Sequence, residues 1–235
     1  MTTLTELLRQ ISPVDALALA WFVAGWWGYA AFARRRAADG GSLLATTNRY
    51  RRQWMVQTTA RDNRVIDGVV VQNLSTSPSF FASTTILIVG GLLALLGATE
   101  EAAKIVKEIP FAARTSALVF DLKLAVLAAV FVYAFFRFTW SMRQYTFGAL
   151  LIASAPDPGE FASGAASREQ FADRAGRVMG LAAETFNDGL RAYYMAFAVV
   201  LWFFAPIAFA CGTAGIIYLL YQREFRSEVL DVLRR

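Results

Sequence analysis

Residues 192–222 read AYYMAFAVVLWFFAPIAFACGTAGIIYLLYQ, with no charged side chain from Ala192 to Gln222. At ~1.5 Å per residue, a helix of that length exceeds what the roughly 30 Å hydrocarbon core of a bilayer requires. Pro206 lies near its middle, with Gly212 and Gly215 after it. A kinked, tilted helix is the expectation. A re-entrant hairpin turning at Pro206 is the alternative, and it needs a protein-lined shelter for the turn.

Three further blocks share this character. Ala16 to Ala33 is uncharged, carries Trp21, Trp26, Trp27 and Tyr29, and stops at Arg34-Arg35-Arg36. The tryptophans and the arginines that follow favour a retained span over a cleaved signal peptide, although Ala31-Phe32-Ala33 has the small-x-small form of a cleavage site. Phe80 to Gly97 is entered through Ser77-Pro78-Ser79, and Gly90-Gly91 would let another helix approach closely. Ala117 to Trp140 is long enough but contains Asp121, Lys123 and Arg137. The sequence therefore predicts an all-α integral membrane protein, one polytopic domain over 1–235. Its spans are expected near 14–33, 80–98, 117–140 and 192–221, with helical connections at 34–79 and 141–191.

Composition agrees. Hydrophobic residues make up 57% of the chain and charged residues 17%, against about half and a quarter in globular proteins. Histidine is absent, which removes the usual general base and the commonest transition-metal ligand. The single cysteine, Cys211, permits no internal disulfide and no cysteine metal cluster. No cofactor or metal is expected. The net charge of +5 is explained by topology and anionic lipid, not nucleic acid.

In the connections, Ser167-Arg168-Glu169-Gln170 reads as a capping box that opens an amphipathic helix into the last span. On its polar side Asp173 and Arg177 are spaced to pair. Ala155-Pro156-Asp157-Pro158-Gly159 marks a loop. The stripe Leu43, Thr47, Tyr50 and Trp54 fails at Arg61, so a bend is expected near Arg61-Asp62-Asn63. The two long connections hold 13 of the 23 lysines and arginines. By the positive-inside rule they face the cytoplasm, with both termini outside a bacterial-type inner membrane, although Arg223, Arg226, Arg234 and Arg235 oppose that orientation.

Arg61-Asp62-Asn63-Arg64-Val65-Ile66-Asp67, Phe80-Phe81-Ala82-Ser83-Thr84-Thr85, Tyr133 to Trp140 with Arg143-Gln144, Phe186-Asn187 with Gly189 to Tyr194, and Arg223 to Ser227 stand in this order in the chain. Together they resemble the bacterial and plant membrane proteins grouped as domain of unknown function 599, over nearly the whole chain. Thr146 and Ala205 depart from that pattern. The resemblance implies a helical, multi-span architecture and brings no reaction, cofactor or catalytic residue.

Site candidates must then come from the residues themselves. A charge within an apolar span is costly and needs a partner, water or escape to the interface. Lys123 and Arg137 advance by helical steps along one face of the third span. With Asp121 and Arg143 they are the candidates for an anion site or passage, against a reading in which both cations simply reach opposite membrane surfaces. Packing of the two connections would bring Arg61, Asn63, Arg64 and Arg191 to Asp67, Glu184, Asn187 and Asp188 in a polar network. Tyr193 and Tyr194 would add hydroxyls to it. Glu184 and Asp188 share a helical face, too weak a pattern for catalysis. The functional expectation is a non-enzymatic, self-associating membrane protein with an arginine-lined site for an anionic solute or lipid head group. The rival is a scaffold for other membrane proteins or lipids, and a lipid-acting membrane enzyme is a weaker third.

Overall fold

The computed structural model describes residues 11–38, 40–98 and 116–234. Within them the chain forms α1 (Pro13–Ala38), α2 (Leu43–Thr58), α3 (Val65–Gly97), α4 (Ala117–Ala153), α5 (Pro158–Ser163), α6 (Arg168–Trp202), α7 (Pro206–Phe225) and α8 (Glu228–Arg234). No strand occurs among the described residues. α1, α3 and α4 are long and apolar enough to cross a membrane, and the protein is an all-α membrane protein.

α3 and α4 run unbroken between the expected helical connections and the expected spans. α3 begins at Val65, not near Phe80, and carries Pro78 within it. A proline removes one i→i−4 bond but need not end a helix whose neighbours hold it. α4 continues past Trp140 to Ala153, and the polar residues expected to open a connection there are helical.

The 192–222 block corrects the expectation of one kinked helix. α6 ends at Trp202 and α7 starts at Pro206. The reversal is tied by Phe203 N–H to Val200 O at 3.2 Å and Ala205 N–H to Leu201 O at 3.2 Å. Pro206, with no N–H and a fixed φ, suits a helix's first position. α7 then packs back along the end of α6: the Trp202 and Phe209 rings stack at 4.9 Å. A Cβ on Gly212 would lie 2.5 Å from Leu201 Cδ1 and 3.8 Å from Ala198 Cα. Such neighbours require a hairpin, because a continuous helix would carry Gly212 about 21 Å along its axis from Ala198.

The chain divides into two compact units. The first comprises Met1–Arg34, Thr84–Ala134 and Leu190–Arg223. Here α1 runs parallel to α7, with Phe22 5.1 Å from Phe209 and Phe32 6.2 Å from Tyr221. Phe131 meets Tyr193 edge-on at 5.1 Å and Phe120 meets Phe203 at 5.4 Å, so α4 lies antiparallel to α6.

The second unit comprises Arg35–Ser83, Phe135–Gly189 and Glu224–Arg235. Met55, Tyr145, Phe161, Phe171 and Met179 form its buried core. Ser42 caps α2 by accepting from Ala45 N–H at 3.1 Å, and Ser167 caps α6 by accepting from Gln170 N–H at 3.3 Å. The bend between α2 and α3 falls where the stripe failed. α2 and α6 touch backbone to backbone: a Cβ on Gly176 would stand 3.0 Å from Arg52 Cα. Gly176→Val is therefore expected to cost about 1–3 kcal/mol by forcing the helices apart. A melting temperature unchanged from the parent protein in detergent would contradict this.

Candidate functional site

Most of the residues singled out from sequence are occupied in holding helices together. Asp67 is fully buried and accepts from Trp54 Nε1 at 2.6 Å, Thr58 Oγ1 at 3.2 Å and the Arg61 guanidinium. Asn63 Oδ1 accepts from Val65 N–H at 2.9 Å at the start of α3. Arg64 donates to the carbonyls of Ala155, at 2.8 Å, and Pro156, beyond the end of α4. Arg137 pairs with Asp188, and Glu184 and Asn187 are half-buried on the same helix as that acid. Asp173, expected to pair with Arg177 along its own helix, pairs instead with Arg52 of α2. Arg51 donates to Thr47 Oγ1 at 2.9 Å and Asn48 Oδ1 at 2.8 Å. Burial draws its guanidinium below the ordinary range, with Tyr145 opposing that shift.

The first unit holds the remainder. Arg191 is buried and lies over the Tyr29 ring at 5.8 Å. Tyr193 shares a 2.7 Å hydrogen bond with Thr85, and Tyr194 accepts from Arg223. Members of the expected network thus make contacts in both units.

Lys123 and Arg137 each have partners within their own unit. Arg137 is committed to Asp188 in the second unit. Lys123, 1% exposed in the first, donates from Nζ to the Trp202 carbonyl at 2.8 Å. That carbonyl belongs to the end of α6, where a helix leaves carbonyls unbonded and carries partial negative charge. Trp202 in turn donates from Nε1 to Asp15 Oδ1 at 2.6 Å, and Ser12 donates to Asp15 Oδ2 at 2.6 Å. A buried ammonium on its carbonyl and a buried carboxylate on its indole therefore clamp Trp202 at the hairpin's apex. Asp121 is half-buried on α4, and Arg143 is exposed farther along the same helix.

An open groove lies between α1 and α4 in the first unit, about 660 Å³ in volume, within the ~300–1,000 Å³ typical of small-molecule sites. Phe22, Val23 and Trp26 line it from α1, and Val126, Ala129 and Tyr133 from α4. Trp26 meets Tyr133 edge-on at 5.7 Å across the groove's lining. Trp27, 76% exposed, forms part of its rim.

Arg34, in the last turns of α1, is the groove's charged residue. Among the described residues it has no ion pair. From Leu19 to Arg34 the groove follows α1 for about 22 Å, somewhat more than half of a ~30 Å hydrocarbon core. A second cavity of about 730 Å³ continues along α1 past Leu19 and Val23 toward Asp15 and Trp202.

Sequence reading did not pick out this site. Arg34 stands in a run of three arginines which, with the tryptophans of α1, the sequence reading takes as marks of a retained span. The available signal was that Phe22, Trp26 and Ala30 recur at helical spacing just before an arginine. No group of three or more His, Cys, Asp or Glu that could hold a metal occurs among the described residues.

The family model for "Protein of unknown function, DUF599" matches residues 17–229. No curated protein and no solved structure matches the chain.

Proposed function

The chain belongs to the DUF599 family of proteins of unknown function, and we propose that it is a non-enzymatic membrane protein that binds an anionic lipid along α1. The acyl chain lies in the α1–α4 groove and the head group meets Arg34. The observation that carries this reading is an apolar groove about 22 Å long that ends at a guanidinium to which no acid among the described residues is paired. Arginine's planar fork suits a phosphate head group, and Trp26, Trp27 and Tyr133 suit the interfacial end of a chain. The reading keeps the expected anionic ligand and moves its cation from Arg137, which Asp188 already engages, to Arg34. The membrane is the cell's inner membrane, with the long connections toward the cytoplasm.

Brominated acyl chains quench tryptophan on contact, which supplies a test. Quenching by brominated phosphatidylglycerol should exceed quenching by brominated phosphatidylcholine, and Arg34→Gln should remove about 1–2 kcal/mol of that preference, roughly a 5- to 30-fold change in selectivity. Equal quenching by the two lipids in the parent protein would contradict the reading.

A second reading, self-association or scaffolding through α3, has its own support. Only 17% of the apolar stretch of α3 is buried. Gln72 and Asn73 are exposed on this helix, and Gly90 and Gly91 stand in open space. Polar amides and small residues are what helix contacts in a bilayer use. Co-purification of a stable, different membrane protein would favour this reading over the first.

A further inference from the structure

α8 packs against α2 in the second unit. Between them lies a polar cleft of about 220 Å³ lined by Thr46, Arg49, Tyr50 and Gln53 of α2 and by Leu233 and Arg234 of α8. Among the described residues no carboxylate lines it and neither arginine has an ion pair. Two cations facing one small space repel each other unless an anion enters.

The surroundings prepare the cleft for one. Thr46 is 1% exposed and donates its hydroxyl proton to the Ser42 carbonyl at 3.1 Å, which leaves its oxygen to accept from Arg49 Nη2 at 3.4 Å. Arg49 is thereby held at the wall with most of its fork uncommitted. The Tyr50 hydroxyl donates to the Leu233 carbonyl at 3.0 Å, which ties α8 to α2 and covers a carbonyl oxygen that would repel an anion. The Gln53 amide supplies a further donor. At about 220 Å³ the cleft is smaller than the ~300–1,000 Å³ of ordinary small-molecule sites. It fits a phosphate group with little attached, not a nucleotide.

We propose that this cleft binds a phosphate monoester, gripped by Arg49 and Arg234 from opposite helices. The dianion matches the two charges, and its oxygens can accept from both guanidinium forks. The monoester is presented by a lipid head group or by a small soluble compound, and the test separates these sources. The full chain in detergent is titrated with glycerol 3-phosphate by calorimetry. In parallel, the full chain in phosphatidylcholine nanodiscs is compared with and without phosphatidic acid.

Saturable binding is expected in at least one arm. A response in the soluble arm identifies a free monoester, and a response to phosphatidic acid alone identifies a lipid. Arg49→Gln and Arg234→Gln should each weaken it about tenfold or more, while Arg174→Gln, at an exposed arginine outside the cleft, leaves it unchanged. Arg49→Lys, which keeps the charge and disturbs the fold least, should also weaken it, because the fork is lost. Absence of binding in both arms, binding that persists in the Arg49→Gln/Arg234→Gln double variant, or equal weakening by Arg174→Gln would overturn the proposal.

Discussion

Arg61→Leu is expected to lower the unfolding free energy by about 3–5 kcal/mol, the cost of breaking a buried ion pair by removing one partner. The size of the effect follows from an asymmetry of exposure. The Asp67 side chain is 0% exposed and that of Arg61 38%. Loss of the arginine strands a carboxylate that water cannot reach, with only Trp54 and Thr58 left to donate. Asp67→Leu leaves a guanidinium that can hydrate, so its cost should fall at the low end of that range, about 3 kcal/mol, most of it from the unsatisfied indole N–H. The double variant Arg61→Leu/Asp67→Leu should be less damaging than Arg61→Leu alone, because no uncompensated charge remains. Thermal unfolding of the three variants in one detergent checks the order, and a double variant no better than Arg61→Leu would rule out the ion pair as the cause.

Lys123→Met should cost about 2–3 kcal/mol through loss of a charged hydrogen bond to a buried carbonyl. Methionine fills nearly the same volume, so packing changes little and the electrostatic part dominates. What is lost is the donor to the Trp202 carbonyl at 2.8 Å and the positive charge that accompanies Asp15 across the same indole. Adding Asp15→Asn to Lys123→Met should recover part of the loss, since a neutral amide can still accept from Trp202 Nε1 and no buried anion is left alone. Tryptophan fluorescence of the hairpin apex reports the change. An unaltered emission maximum and melting temperature in Lys123→Met would show that the hairpin does not depend on this cap.

The membrane class was legible because charge-free runs have few other homes. Where one helix stops and the next begins was less legible, since polarity marks the edge of an apolar zone, whereas α3 and α4 carry polar residues past it in one unbroken helix. Pro206 was legible as a discontinuity. Choosing between a kink and a reversal depended on what could shelter a turn. The shelter comes from residues far apart in the chain, Asp15 and Lys123, which no local pattern joins to Trp202.

Within α2, Leu44, Met55 and Thr58 are buried while Tyr50 of the expected stripe is 47% exposed. The stripe chosen by apolar content was rotated from the one that packs. Charged residues were legible as paired but not as to their partners: Arg61 and Asp67 are near neighbours, whereas the pairs Arg137–Asp188 and Arg52–Asp173 are distant in sequence and depend on tertiary packing.

With Arg137 and Lys123 engaged, the functional account rests on the α1–α4 groove. Native mass spectrometry of the protein released from mixed-lipid nanodiscs tests it most directly. The account predicts that phosphatidylglycerol stays bound after most lipid has been stripped, and that the adduct disappears both in Arg34→Gln and in Ala129→Trp, which removes the charge and fills the groove respectively. Retention of phosphatidylcholine to the same extent, or an anionic adduct that survives both substitutions, would contradict it.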